Sequence, residues 1–452
     1  MKKSPTDAPL SMLTGSVWKS LVLFAAPLLM GSIFQQLYNT VDSLVVGNFL
    51  GDSALAAVSS AANLINLLVD LFMGLFTGAG ILVANCYGAG EKDKLSRIIQ
   101  TTLTIGFSVG ILLTAVGNIL TPALLRQMNT PDDVMPSSLS YFRFYFSGSL
   151  AFVLYNCCTG ILQNLGDSIR PLKYLILASI TNIFLDILFI AVFQWGVGSA
   201  ALATVLSQSI SAALCLTRLY RSQEQYGFDL HRLCPHKEAF SQIFHFGIPS
   251  SFQNGMIALS NVVVQSGINL FDTPAIAGCG VWSKLEGFAL LPILSFSMAL
   301  STFAGQNKGA GNYARIRRGT GFGLACCAVM SIVIGVILYL CAPVLVALFN
   351  KNAVVIAYGT LKSHFSAPFF VLLGISNCIG GILRGMGKIK TSMFIYLGCW
   401  CMVRMILIHA GLAFVKDIRI VLIAYPLTWL LSTVIFLWRY KKDVWSVTPG
   451  ES

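Results

Sequence analysis

The chain has 452 residues, 56% of them hydrophobic and only 11% charged, with a mean hydropathy of +0.75. A soluble domain carries about 25% charged residues, so the polar surface is too small to clothe a water-soluble globule. The net charge of +12 does not point to nucleic acid, because the basic residues lie in short loops and no soluble segment could hold such a domain.

Apolar stretches long enough to cross a membrane, about 20 residues each, recur from end to end. They predict spans at 17–43, 54–80, 98–120, 139–163, 174–193, 199–217, 241–269, 275–303, 319–347, 355–383, 391–415 and 420–438. The run from Val17 is too long for a signal-peptide core and has no small-residue cleavage site, so it reads as the first span. Twelve crossings put both termini on one face. The terminus-side segments hold 22 Lys and Arg, while the opposite segments hold 5, namely Arg126, Lys351, Lys362, Lys416 and Arg419. That bias places both termini in the cytoplasm of a plasma-membrane protein. The twelve Cys are scattered through apolar runs (Cys157, Cys158, Cys326, Cys327) and read as packing residues, not as a zinc or disulfide framework.

The two halves resemble each other. Asn156-Cys-Cys-Thr-Gly160-Ile-Leu-Gln-Asn-Leu-Gly166 recurs as Asn377-Cys-Ile-Gly-Gly381-Ile-Leu-Arg-Gly-Met-Gly387, an offset of 221. Gly88-Ala-Gly90 recurs as Gly309-Ala-Gly311 at the same offset, and Phe24-Ala-Ala-Pro27 as Phe246-Gly-Ile-Pro249 at 222. An even number of spans per half makes these parallel repeats, related by a pseudo-two-fold axis along the membrane normal. The expected organisation is an all-α membrane protein with an N-terminal six-helix bundle (1–218), a cytoplasmic linker (219–239) and a C-terminal six-helix bundle (240–452). The Gly-Ala-Gly loops read as tight turns, since no Lys-Ser/Thr follows as a phosphate loop requires.

Acids inside spans are costly and tend to mark function, the alternatives being an interfacial Asp42 beyond the hydrocarbon and a structural Asn182–Asp186 polar pair. Asp42 ends a polar stripe, Gln35, Tyr38, Asn39 and Asp42, in an otherwise apolar first span. Asp186 lies in span five with Asn182 one turn before it, so an amide and a carboxylate point the same way. Carboxylates with amide oxygens suit either a proton carrier or a Na⁺ site, because low dielectric disfavours an uncompensated charge. Glu286 follows Lys284 and reads either as half of a structural ion pair or as a second functional acid; Asn63, Asn66 and Asp70 share a face of span two. Arg404 in span eleven is expected to pair with an acid or with backbone carbonyls. The single His245, His364 and His409 form no metal cluster, and no nucleophile–base set, Walker or dinucleotide fingerprint is present. No cofactor is implied, and nothing argues for an enzyme.

With these residues in view, the chain resembles the bacterial branch of the multidrug and toxic compound extrusion (MATE) family. The resemblance rests on Pro27…Gln35-Gln36-Leu-Tyr38-Asn39…Asp42…Gly47, Gly88-Ala-Gly90, Gly160-Ile-Leu-Gln-Asn-Leu-Gly166-Asp167…Arg170-Pro171, Asn182-x-x-x-Asp186 and Ser301-Thr-Phe-x-Gly305-Gln306-Asn307-x-Gly309-Ala-Gly311. It implies export of small organic, often cationic compounds by a monomer, driven by H⁺ or Na⁺ entry through alternating access. It also implies a cation site at Asp42, Asn156, Asn182, Asp186 and Thr204. Gln35, Tyr38, Asn39, Met256, Glu286 and Phe288 are expected to line the substrate cleft. The seventh-span Glu of another branch is absent from Phe252-Gln-Asn-Gly-Met256…Asn261. Flipping of a lipid-linked precursor is the alternative transport reading, although only Arg143, Lys284 and Arg404 supply basic residues within the expected spans. A non-transporting scaffold would need an output domain that the sequence does not contain.

Overall fold

A computed structural model describes residues 12–127, 134–227 and 235–445, with the side chains of 52, 53, 55–57, 59–71, 124, 127 and 445 left aside. Lys2, Lys3 and Arg232 of the charge count, and the face formed by Asn63, Asn66 and Asp70, therefore lie outside the described residues. Every regular element among the described residues is helical. In chain order they are α1 (Val17–Leu50), α2 (Asp52–Ala89), α3 (Lys92–Gln127), α4 (Met135–Ser147), α5 (Ser149–Asn164), α6 (Ile169–Asp186), α7 (Gly198–Tyr220) and the single turn α8 (Gln223–Tyr226). There follow α9 (Lys237–Ile268), α10 (Thr273–Gly309), α11 (Tyr313–Ala347), α12 (Ala353–Ser366), α13 (Phe370–Gly385), α14 (Ile389–Tyr396), α15 (Arg404–Phe414) and α16 (Ile418–Tyr440).

Among the described residues the helices group into twelve long runs. Ten helical runs are long and apolar enough to span by length and composition, and the α4–α5 pair, bent by 47°, makes an eleventh. The twelfth is α9, 32 residues long, whose polar Gln242, His245, Ser250, Gln253 and Asn254 dilute its hydropathy. The α4–α5 bend has a local cause. At Gly148 a Cβ would sit 2.1 Å from Val205 Cγ2, so only glycine lets α7 approach so closely at the bend. Three other runs contain a π-helical segment, Ile187–Val192 after α6, Leu397–Val403 between α14 and α15, and Lys441–Trp445 after α16. Such widened turns recur at functional sites.

One helix illustrates why the chain needs lipid. On α11, Val329, Ile332, Val333, Val336, Ile337, Leu340 and Val344 are all more than half exposed. Cys327, Ser331, Gly335 and Ala342 on the other face are buried. Small residues facing neighbouring helices and branched aliphatics facing outward are the membrane pattern, because tight approach and not apolar burial drives helix association there. At Gly335 a Cβ would lie 2.5 Å from the Ala367 carbonyl oxygen.

The helices form two compact units, one comprising residues 30–248 and the other 11–29 with 249–452. The divisions fall beside the repeated prolines Pro27 and Pro249, each inside a helix. Residues 219–239, expected to act as a tether, are in part packed: Tyr226 is buried edge-on against Tyr87 at 6.1 Å, and Leu219 and Ala239 belong to the first unit's core. The Gly-Ala-Gly turns match their expectation, with Gly90 at φ 72° closing α2 and Gly311 at φ 69°.

One correction concerns charge. Lys362, counted from sequence with the segments opposite the termini although it falls within the expected span 355–383, is 3% exposed within α12. Its ammonium donates to Ser283 Oγ at 2.8 Å and to the Cys279 carbonyl at 3.4 Å, so it is a buried intramembrane base.

Candidate functional site

In the first unit, α1, α4, α6 and α7 converge on a polar cluster. From α1 come Tyr38 and Asp42, one turn apart and both 9% exposed. The rest of the predicted stripe does not join them, for Gln35 and Asn39 are exposed. Asp186 closes α6, fully buried, with Asn182 buried one turn before it. α7 contributes Thr204, whose hydroxyl accepts from Asn182 Nδ2 at 3.4 Å and donates to the Ala200 carbonyl at 3.1 Å. One turn on, Gln208 is 5% exposed and lies beside the Tyr38 hydroxyl. α4 supplies the stacked rings of Tyr141 and Tyr145, 6.4 Å apart, with Tyr141 beside the two carboxyls and Tyr145 beside Tyr38.

The carboxyls of Asp42 and Asp186 approach closely enough to interact directly. Among the described residues no Lys or Arg pairs with either. Asp42 Oδ1, both carboxyl oxygens of Asp186, Asn182 Oδ1 and Gln208 Oε1 are buried without a hydrogen-bond partner. Buried acceptors are normally satisfied, and two adjacent buried carboxylates cannot both stay charged without compensation. The donor set is all oxygen, which fits a proton or a hard cation such as Na⁺.

Four of the five expected cation ligands, Asp42, Asn182, Asp186 and Thr204, thus come together. Asn156 is half-buried on α5 and commits its amide nitrogen to the Phe152 carbonyl at 2.9 Å. Gln208, Tyr141 and Tyr145 were not singled out from sequence. Gln208 had a readable signal, since it repeats the four-residue spacing of Asn182 and Asp186 after Thr204.

Of the cleft residues expected in the second unit, Phe288 is exposed and Met256 half-buried, its carbonyl accepting from Cys401 Sγ. Glu286 lines a cavity of about 440 Å³ together with Ser283, Lys362, Arg404, Tyr425 and Trp429. It is not paired with Lys284, which is exposed; the cations acting on it are Lys362 and Arg404. Arg404 also departs from expectation. Its Nε and Nη2 donate to Thr428 Oγ1 at 3.3 and 3.0 Å, and its guanidinium lies 4.5 Å from the Tyr425 ring centre. A hydroxyl and aromatic faces hold it, not an acid or backbone carbonyls.

The MatE family profile matches residues 27–188 and again 249–409, once in each half. The chain belongs to the MatE family. The double match reproduces the sequence offset of 221–222 and covers most of the chain. A probable multidrug resistance protein of Bacillus subtilis, YoeA, is 29% identical over 95% of this chain and 94% of its own length. A second from the same organism, YpnP, is 29% identical over 85% of this chain and 86% of its own. Among solved structures, an outward-facing multidrug resistance MATE transporter of the MOP superfamily superposes with a TM-score of 0.91 at 22% identity, over 99% of this chain and all of that one. MatE proteins are transporters, so this chain is a multi-span efflux transporter and not an enzyme.

Proposed function

We propose that the chain is a cation-coupled antiporter of the plasma membrane, exporting small organic compounds by alternating access, with the Asp42–Asp186 cluster as its coupling site. H⁺ or Na⁺ enters from outside, compensates the acid pair and promotes release of substrate; its discharge to the cytoplasm resets the site. The observation that carries this reading is the set of buried carboxyl and amide oxygens that have no protein donor. A structural polar cluster would satisfy itself, whereas this one is completed only by a proton or cation. Asp42, Asp186, Asn182, Thr204 and Gln208 would hold the ion, with Tyr38 beside them. With Lys362 moved into a span, the Lys and Arg bias becomes 22 to 4 and favours cytoplasmic termini.

The test is efflux of ethidium from energised vesicles, with and without a protonophore, in Na⁺-free and Na⁺-containing buffers. Proton coupling predicts collapse of efflux on adding the protonophore; sodium coupling predicts efflux that needs a Na⁺ gradient and survives the protonophore. Wild-type efflux by Asp186→Asn under both conditions would refute the coupling site.

A further inference from the structure

The duplicated frame carries the first unit's site into the second with its charge inverted. At the offset of 221, Tyr141 falls on Lys362, Thr204 on Tyr425 and Gln208 on Trp429; at 222, Asp42 falls on Val264. All four counterparts line the same cavity, the Glu286 cavity of about 440 Å³ in the second unit. Asn182 falls on Val403, immediately before Arg404, which faces the same cavity. Where the first unit gathers acids, the second gathers bases.

Lys362 and Arg404 are each 3% exposed. The Tyr425 ring lies between them, 5.7 Å from the Lys362 ammonium and 4.5 Å from the Arg404 guanidinium. Trp400 adds a second aromatic face, 5.7 Å from Arg404. Thr428 engages Nε and Nη2 of Arg404, leaving Nη1 without a protein acceptor among the described residues. Glu286 is the single acid in the lining, and it forms no direct ion pair with either base. A structural ion pair in a membrane interior would close its contact and exclude open volume. Here two bases and one acid surround a space within the range of small-molecule sites, about 300–1,000 Å³. One positive charge is left uncompensated, and buried charge in a membrane demands a partner.

We infer that this cavity binds a planar aromatic compound bearing one anionic group, the anion at Arg404 and Lys362 and the ring against Trp400, Tyr425 and Trp429. Glu286 sets an upper limit on the negative charge accepted. The inference rests on the exporter reading and makes aromatic organic anions a substrate class of the transporter.

The experiment uses the full chain in phosphatidylcholine nanodiscs and equilibrium dialysis with two labelled probes, 2-naphthoate and 2-naphthylmethylammonium, which share a ring and differ in charge. Naphthoate is expected to bind at least about tenfold more tightly than the ammonium. Arg404→Gln and Lys362→Met should each weaken naphthoate about thirtyfold or more, and Glu286→Gln should tighten it. Tighter binding of the ammonium, or unchanged naphthoate affinity in folded Arg404→Gln and Lys362→Met, overturns the inference. Should both base variants fail to fold, Glu286→Gln decides alone, and unchanged naphthoate affinity there overturns it. The two readings fail separately. Naphthoate binding that persists in an Asp186→Asn protein with wild-type efflux sinks only the coupling site, whereas intact coupled efflux without naphthoate binding sinks only this cavity.

Discussion

Asp42 on α1 and Asp186 at the end of α6 bring their carboxyls together inside the first unit, with no basic side chain among the described residues to share between them. Replacing one carboxyl of a buried pair that lacks a compensating cation removes a group that is costly to charge there, so Asp42→Asn and Asp186→Asn should fold at least as stably as the natural chain. Both should lose coupled efflux. One charge moving down the membrane potential supplies about 2.3 kcal/mol per 100 mV, roughly fifty-fold in accumulation. A variant that no longer carries the ion should therefore show steady-state dye exclusion reduced by about that factor per lost charge. Thermal unfolding in detergent and dye exclusion in the same cells separate the two effects.

Much of this was legible in the sequence, and the exceptions share a cause. The spans follow from apolar windows, and the repeat from residues such as Pro27 and Pro249 whose role is local. Asp42, Asn182 and Asp186 stood out because a helix presents residues four apart on one face. Lys362 was hidden because a lysine near the end of an apolar run reads as one that reaches out to water. The Ser283 hydroxyl that holds it inside comes from α10, and the Tyr425 ring from α16, so only tertiary packing reveals its burial. The partners of Arg404 and the joining of Gln208 to the acid cluster likewise depend on contacts between helices distant in sequence.

Asp167, in the turn between α5 and α6, is 6% exposed and accepts from both the backbone and the guanidinium of Arg170, with Arg218 Nε at 3.9 Å. Asp167→Ala leaves two partly buried guanidiniums facing an empty place and should cost about 1–3 kcal/mol. A lower unfolding temperature with unchanged efflux per folded molecule is the expected pair of results. Loss of efflux at unchanged stability would assign the turn a direct part in transport.

Arg315 holds the first described residues in place. Its Nε donates to the Met12 carbonyl at 3.0 Å, Nη1 to Gly15 at 2.8 Å and Nη2 to Thr14 at 2.9 Å, while Asn307 Nδ2 also donates to Met12 at 3.1 Å. Arg315→Ala should release residues 12–16 and raise their amide exchange about five- to thirty-fold, corresponding to about 1–2 kcal/mol of local opening. Arg315→Lys should fall between, since a single ammonium cannot serve three carbonyls in the geometry of a guanidinium fork. Exchange mass spectrometry on the peptide covering 12–20 reads this directly.

The repeated Gly-Ile-Leu motif makes opposite demands in the two units. At Gly160 on α5 a Cβ meets nothing within 4 Å, whereas at its counterpart Gly381 on α13 it would lie 2.6 Å from the Ser297 carbonyl oxygen and 2.7 Å from Ser297 Oγ. The Ser297 hydroxyl is already committed to the Asn377 carbonyl at 2.6 Å, so it cannot swing aside without loss. Gly381→Ala should therefore separate α13 from α10 and cost about 1–3 kcal/mol. Gly160→Ala should stabilise by about 0.5–1 kcal/mol, because alanine loses less backbone freedom than glycine when a helix forms. Opposite shifts in unfolding temperature for the two variants are the expected result. A loss at Gly160 comparable to that at Gly381 would mean that the first unit packs as tightly there as the second.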